Sequence, residues 1–305
     1  MLEKLLRSRQ IKRFIVWLQH THFFREGVSW YDIIVNIIDK NKRFDLDQRA
    51  SAVAFSFTLA SFPAVIFLFT LIPYLPLPTA KQQVMGLLSD IVPYGIYRHV
   101  NHAIEDILNR PRSGVLSFGF IFAILASTNG MMSLMKSFDV IFGEKKSRGF
   151  LLGRAVALML TVLLVVVICV TVILLIVGDA VMGLLSEWAI ITDGVVIFVL
   201  NVTRYLVSFA ALMVAISLMY RFAPTNGKNF SFINSGVIIA AVLILVATFG
   251  FSFYLSQFHT YNKLYGSIGA VIALMIWFYL LSFLLILGFE INASIAMIKS
   301  KGDQS

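Results

Sequence analysis

Six apolar stretches, each about as long as a bilayer is thick, leave this chain few folds to choose from. They lie near residues 50–72, 113–141, 152–177, 197–220, 233–256 and 266–296. A helix needs roughly 20 predominantly apolar residues to cross the hydrocarbon. Only 13% of the 305 residues are charged, against about one-quarter in a soluble domain, and 59% are hydrophobic. There are too few charges to solvate a water-facing surface. The reading is an all-α, polytopic membrane bundle of six transmembrane helices.

Lysine and arginine set its orientation. Eighteen of the 25 fall on one predicted side: ten within residues 1–49, the rest in two loops and the tail, including Lys145, Lys146, Arg148, Arg154, Arg221 and Lys228. Five lie on the other side (Lys81, Arg98, Arg110, Arg112 and Lys263) and two, Lys136 and Arg204, within spans. The positive-inside rule then places both termini in the cytoplasm, which an even number of spans also requires. The net charge of +9 records topology, so no nucleic-acid partner is expected. Membrane lipids are the expected surroundings.

The chain divides into a basic arm over 1–48, a membrane domain over 49–298 and a short cytoplasmic tail over 299–305. In the arm, Ile11, Phe14, Ile15 and Leu18 fall at helical spacing among Lys4, Arg7, Arg9, Lys12 and Arg13. A second amphipathic stretch has Trp30, Ile33, Ile34, Ile37 and Ile38 on one face. Such helices either lie in the headgroup region or pack as a collar on the bundle, and periodicity fits both. The first external loop holds five of the seven prolines and two short helical patterns separated by Pro93, which reads as a helical external cap. Small residues recur every four positions, as in Ala52-Ser56-Ala60, Gly119-Ala123-Ser127, Gly236-Ala240 and Gly266-Ala270, and let helix backbones approach closely.

Polar groups inside the spans are the candidate functional residues, because lipid makes them costly. One set lies toward the cytoplasmic side: Arg49, Lys136, Asp139, Glu290 and Asn292. Another lies toward the outside: Asp179, Asn201 and Arg204. Asn129 is near the middle of its span. Either they line a route for a polar or amphiphilic substrate, or they form structural pairs, Arg49 with Asp139 or Glu290 and Arg204 with Asp179. Placement away from the midplane favours pairs. His99, His102, Glu105 and Asp106 have a loose metal-like spacing better read as a solvated helix face. No Walker loop, nucleophile elbow or zinc-protease helix occurs, so no residue is assigned a catalytic, cofactor-binding or metal role. Cys169, the sole cysteine, can form no internal disulfide.

Several segments together resemble the YihY/BrkB family of bacterial inner-membrane proteins. They are Arg49-Ala50-Ser51-Ala52-Val53-Ala54-Phe55 with Ser61-Phe62-Pro63, Arg148-Gly149-Phe150-Leu151 with Arg154, and Tyr220-Arg221-Phe222-Ala223-Pro224. To these are added Tyr261-Asn262, Tyr265-Gly266-Ser267-Ile268-Gly269-Ala270, Trp277-Phe278-Tyr279, Gly288, Glu290 and Asn292. Phe138-Asp139 departs from the Leu-Asn pair often found in relatives. The resemblance implies a six-span inner-membrane protein. Ribonuclease labels on some members are regarded as mistaken; other members carry virulence or serum-resistance labels, and envelope-lipid transport is proposed for relatives. The expectation is a non-enzymatic transporter or flippase-like protein for an amphiphilic or lipid-related substrate, the alternative a membrane scaffold for envelope proteins. Neither the substrate nor the oligomeric state is legible.

Overall fold

In the computed structural model, residues 29–41, 45–71, 113–141, 148–187, 194–225, 231–257 and 259–302 are described. They form seven helices: α1 (Trp30–Asn41), α2 (Leu46–Leu71), α3 (Ser113–Ile141), α4 (Phe150–Glu187), α5 (Gly194–Phe222), α6 (Ser235–Gln257) and α7 (His259–Gly302). The last six each contain an apolar window long enough to cross a membrane. The protein is a multi-pass helical membrane bundle. The first amphipathic stretch of the arm, the external-loop patterns and the His99–Asp106 group lie outside the described residues.

The helices overrun the apolar segments. At about 1.5 Å per residue, the 44 residues of α7 and the 38 of α4 are far longer than a hydrocarbon core of roughly 30 Å, so both continue beyond it. Nothing in their sequences stops them at the interface: α4 passes through Gly178 and Asp179 without a proline. Helix α2 likewise runs through Pro63.

Local chemistry fixes several starts. Ser29 Oγ accepts a hydrogen bond from the Asp32 backbone N–H at 3.2 Å and donates to the Asp32 carboxylate at 2.9 Å, a serine N-cap opening α1. Asn234 Oδ1 accepts from the Val237 N–H at 3.0 Å and caps α6. Within the spans, several hydroxyls donate back to their own helix, as Thr58 does to Ala54 O and Thr161 to Ala157 O.

Spans α2 to α7 close into a ring in chain order. Each packs on the next, and α7 returns to α2 while also touching α3. The core is not spread evenly along this ring. Among the described residues it lies at the basal end, where α2, α4 and α6 begin and α3, α5 and α7 finish. Ala50, Val53, Leu134, Phe138, Leu160, Tyr220, Val237, Ala240 and Phe289 are all buried there. Toward the distal end the buried residues among those described are small: Ala60, Thr70, Ala123 and Gly269. Large side chains there are exposed, Val246, Phe249 and Phe253 among them, in keeping with a lipid solvent.

The small-residue ridges contribute unequally. Gly236 of α6 lies against the Gly288 carbonyl of α7, and a Cβ on Gly288 would sit 2.6 Å from Ala240 Cβ. Glycine is required at both positions by this crossing. A Cβ on Gly119 would instead meet the Phe67 backbone at an ordinary 3.7 Å. Ala52 is exposed, because the buried face of α2 is set by Ala50, Val53, Ala54 and Thr58. The burial of Gly266 and of Ala270 lies outside the described set.

Helix α1 packs on the outside of the basal end. Ile33, 1% exposed, is buried with Ile291 and Ile295 of α7, while Ile37, Ile239 and Ile298 flank them. Over residues 30–41 the arm therefore packs on the bundle. Its Ile34 is exposed even though it shares the apolar side of the helical wheel.

Candidate functional site

The chemistry concentrates in one layer at the basal end. Arg49, in the first turn of α2, reaches across the seam where the ring closes. Its Nη2 donates to Glu290 Oε1 of α7 and its Nη1 donates to the Ser137 carbonyl of α3 at 3.0 Å. One guanidinium thus joins three spans. The pair is deeply enclosed, with side-chain exposures of 11% for Arg49 and 1% for Glu290. Asp47, two residues earlier, accepts a hydrogen bond from the Tyr279 hydroxyl. At 100° per residue, Asp47 and Arg49 leave α2 on opposite sides, whereas Tyr279 and Glu290 share a face of α7 three turns apart. The start of α2 is therefore clasped at two points along one stripe of α7.

Beside this clasp, aromatic rings close the centre of the ring. Phe138 of α3 stacks on Phe289 of α7 at a centroid separation of 4.3 Å. Tyr220 of α5 meets Phe138 edge-on at 5.6 Å and Phe289 at 5.4 Å. Its hydroxyl donates to the Leu285 carbonyl at 2.7 Å, satisfying the one polar atom of a fully buried ring.

Asn292 forms the third part. Its Oδ1 accepts from the Gly236 N–H at 2.7 Å, one of the first-turn amides that α6 cannot satisfy itself, and its Nδ2 donates to Asn234 Oδ1 at 2.5 Å. A buried amide on α7 thus completes the cap of α6.

The end of α5 is the fourth. Arg148 donates to the carbonyls of Ala223 (3.0 Å), Phe222 (3.1 Å) and Pro224 (2.6 Å). A guanidinium carries enough donors to satisfy a helix C-terminus in this way. Asp139 of α3 accepts from both the Thr225 N–H and the Thr225 hydroxyl at 2.6 Å. Arg154 donates to Thr128 Oγ1 at 3.2 Å and lies over the Phe150 ring.

These contacts sort the residues singled out by sequence. Of the two partners open to Arg49, the structure brings Glu290, because Asp139 turns to Thr225. Lys136, three residues before Asp139, is exposed, and so is Asn129. Arg204 is exposed on the distal half of α5, with its backbone carbonyl accepting from Ser208 Oγ. The side chains of Asp179 and Asn201 lie outside the described set.

Sequence reasoning assigned no role to Phe138, Phe289 or Asn234. The first two are ordinary aromatic residues in apolar runs. Asn234 had a legible signal, an asparagine directly before an apolar run that opens with Ser235-Gly236. Ser217, Ser282 and Ser294 are also buried, and their hydroxyls find no hydrogen-bond partner among the described residues. No group of three His, Cys, Asp or Glu suited to a metal ion occurs among the described residues.

Residues 37–305 match the sequence profile of a family described as virulence factor BrkB. The chain belongs to the BrkB family. Among relatives, it is 34% identical over 258 residues to a ribonuclease-like protein, YfkH, of Bacillus subtilis, covering 85% of this chain and 93% of that one. It is 24% identical over 210 residues to the UPF0761 membrane protein IL2447 of Idiomarina loihiensis, covering 69% and 71% respectively. No solved structure matches it. In this BrkB-family chain the structure gathers motifs far apart in sequence. The Arg49 segment meets Glu290, and the Arg148 segment caps the Tyr220–Pro224 segment.

Proposed function

We propose that this protein is a non-enzymatic carrier, transporter or flippase-like, for an amphiphilic or lipid-related envelope substrate, and that its basal layer is the closed end of the pathway. The observation that carries this reading is the uneven packing of the ring. Among the described residues, large buried side chains crowd the basal end, whereas toward the distal end the buried ones are small and large apolar side chains such as Phe249 and Phe253 are exposed. An amphiphile's chains suit such a surface. The closure is built of separable contacts: one ion pair, three rings and one amide bridge. The buried hydroxyls of Ser217 and Ser282 lie one turn distal to Tyr220 and Leu285, where a second arrangement of α5 and α7 could give them partners. Carriers work by switching between discrete packings of this kind.

The test is reconstitution of the full chain into phosphatidylglycerol/phosphatidylethanolamine vesicles with headgroup-labelled fluorescent lipids. Translocation above that of empty vesicles, and a changed rate in Glu290→Gln, supports the reading. Rates equal to empty vesicles for both anionic and zwitterionic probes refute it.

A scaffold for envelope proteins is the second reading, favoured by the packing of α1. Helix α1 is held on the bundle by Ile33, and Arg49, Asp139, Glu290 and Asn292 are engaged in closed local contacts. Deleting residues 1–40 should then abolish partner co-purification while the bundle stays folded. Full recovery of partners after truncation rejects it.

A further inference from the structure

Asn129 lies about 18 Å along α3 from its basal end at Ile141, close to the middle of a hydrocarbon core roughly 30 Å thick. Its side chain is exposed. It points away from the ring: the buried face of α3 carries Met131, Leu134, Met135 and Phe138. On the flanks, Gly130 faces the Phe57 ring of α2 and Met132 lies against Gly153 of α4. Asn129 therefore occupies the outer pole of α3. An amide has two donor protons and an acceptor oxygen, and acyl chains satisfy none of them. Exposed hydroxyls escape this difficulty by bonding back to their own helix, as Ser56 does to Ala52 O and Thr248 to Ile244 O. No such bond serves Asn129 among the described residues.

The residues above and below it complete the pattern. Phe118, Phe122, Leu125, Asn129, Lys136 and Val140 are all exposed and fall on one stripe. From Phe118 to Asn129 the spacing is four, three and four residues, the repeat of a helix–helix seam, and Lys136 stands one heptad beyond Asn129. A polar amide within such a seam fixes its register.

We propose that this stripe is the interface with a second copy of the chain, which packs α3 against α3 about a two-fold axis along the membrane normal. Every copy inserts in the same direction, so the two helices run parallel and Asn129 meets the partner's Asn129. Amide with amide is self-complementary, each donating to the other. Lys136 lies two turns closer to the basal end, where its long stem carries the ammonium toward the headgroups and leaves the seam apolar. The inference does not depend on transport and goes beyond the proposed function.

Cysteine cross-linking in native membranes tests it, in a full-length Cys169→Ala background that removes the only natural thiol. Leu125→Cys, one turn from Asn129, should give a disulfide-linked dimer, while Val246→Cys, exposed on α6, should not. Adding Asn129→Leu should lower the Leu125→Cys dimer about tenfold, and Asn129→Gln should restore part of it. Size-exclusion elution and thermal unfolding confirm that each variant remains folded. Equal cross-linking of Leu125→Cys and Val246→Cys overturns the proposal, as does insensitivity to Asn129→Leu. A third result also overturns it: a monomer that retains phosphatidylglycerol by native mass spectrometry and loses it in Lys136→Gln, which makes the stripe a lipid site.

Discussion

Arg49 and Glu290 are 241 residues apart in sequence and form an enclosed ion pair that joins the first span to the last. The same guanidinium holds the Ser137 carbonyl, so one side chain ties the first, second and last spans together where the ring closes. Desolvating two charges can offset most of their attraction, and the net stabilisation from such a pair is small. Its main effect is to specify which helices meet and in what register. A low-dielectric interior makes any other partner for either charge expensive.

Removing one charge should therefore hurt more than removing both. Glu290→Gln or Arg49→Met leaves a buried charge without its counterion and should cost about 3–5 kcal/mol, whereas Arg49→Met with Glu290→Met should recover most of it. Unfolding in mixed micelles, read by far-UV circular dichroism, measures all three variants. A double variant no more stable than the singles would contradict this account.

Gly236→Ala places a methyl group against the Gly288 carbonyl and should force α6 and α7 apart. Overpacking of this kind costs about 1–3 kcal/mol. Gly250→Ala meets nothing within 4 Å and should be neutral or stabilising by a few tenths of a kcal/mol, since alanine is the better helix former. The contrast, read as melting temperature in one detergent, separates close packing from a general intolerance of glycine replacement.

Asn292 and Asn234 should not behave independently. Asn234→Ala removes a helix cap worth about 1 kcal/mol, and Asn292→Ala removes the partner of Gly236 N–H at a cost of about 1–3 kcal/mol. Because Asn292 also donates to Asn234, the double variant should be less destabilised than the sum of the singles. Strict additivity in a double-mutant cycle would mean that the bridge contributes nothing.

Arg148→Ala should loosen the end of α5 by exposing three carbonyls, at roughly 1–3 kcal/mol. Arg148→Lys should recover only part of this, since an ammonium cannot spread its donors as a guanidinium fork does. Faster hydrogen exchange near residues 220–225 is the expected signature. Unchanged protection in Arg148→Ala would exclude the capping role.

Ile33→Ala should release α1 and leave the ring intact. The small cluster with Ile291 and Ile295 places the loss near the lower end of the usual range, about 2 kcal/mol. Limited proteolysis should cut residues 30–41 faster in this variant, with an unchanged bundle fragment. Simultaneous loss of that fragment would show that α1 is integral to the core.

The polar residues show how far sequence reading reaches. Arg49, Asp139, Glu290 and Asn292 stand out because charges and amides are costly among apolar neighbours, whatever the fold around them. Their partners do not stand out in the same way. Ser137 and Leu285 offer backbone carbonyls, which every residue has. Phe138 and Phe289 belong to apolar runs in which any aromatic could face lipid or core. Asn129 could be placed near the midplane from sequence, but whether it faced inward or outward needed the positions of α2 and α4 on either side of it.

By itself the sequence determined the class of fold, six spanning helices, because hydrocarbon permits only backbones that satisfy their own hydrogen bonds and a run of apolar residues signals this locally. It also set the expected orientation, since basic residues are counted loop by loop. Only the tertiary structure decided that the ring closes through Arg49 and Glu290, that its core lies at the basal end and that Gly236 meets Gly288. Those outcomes depend on which helix faces come together. Lipid provides no hydrophobic drive to choose among them, so the choice rests on close backbone approach and on a few long-range polar contacts that periodicity along one helix does not encode.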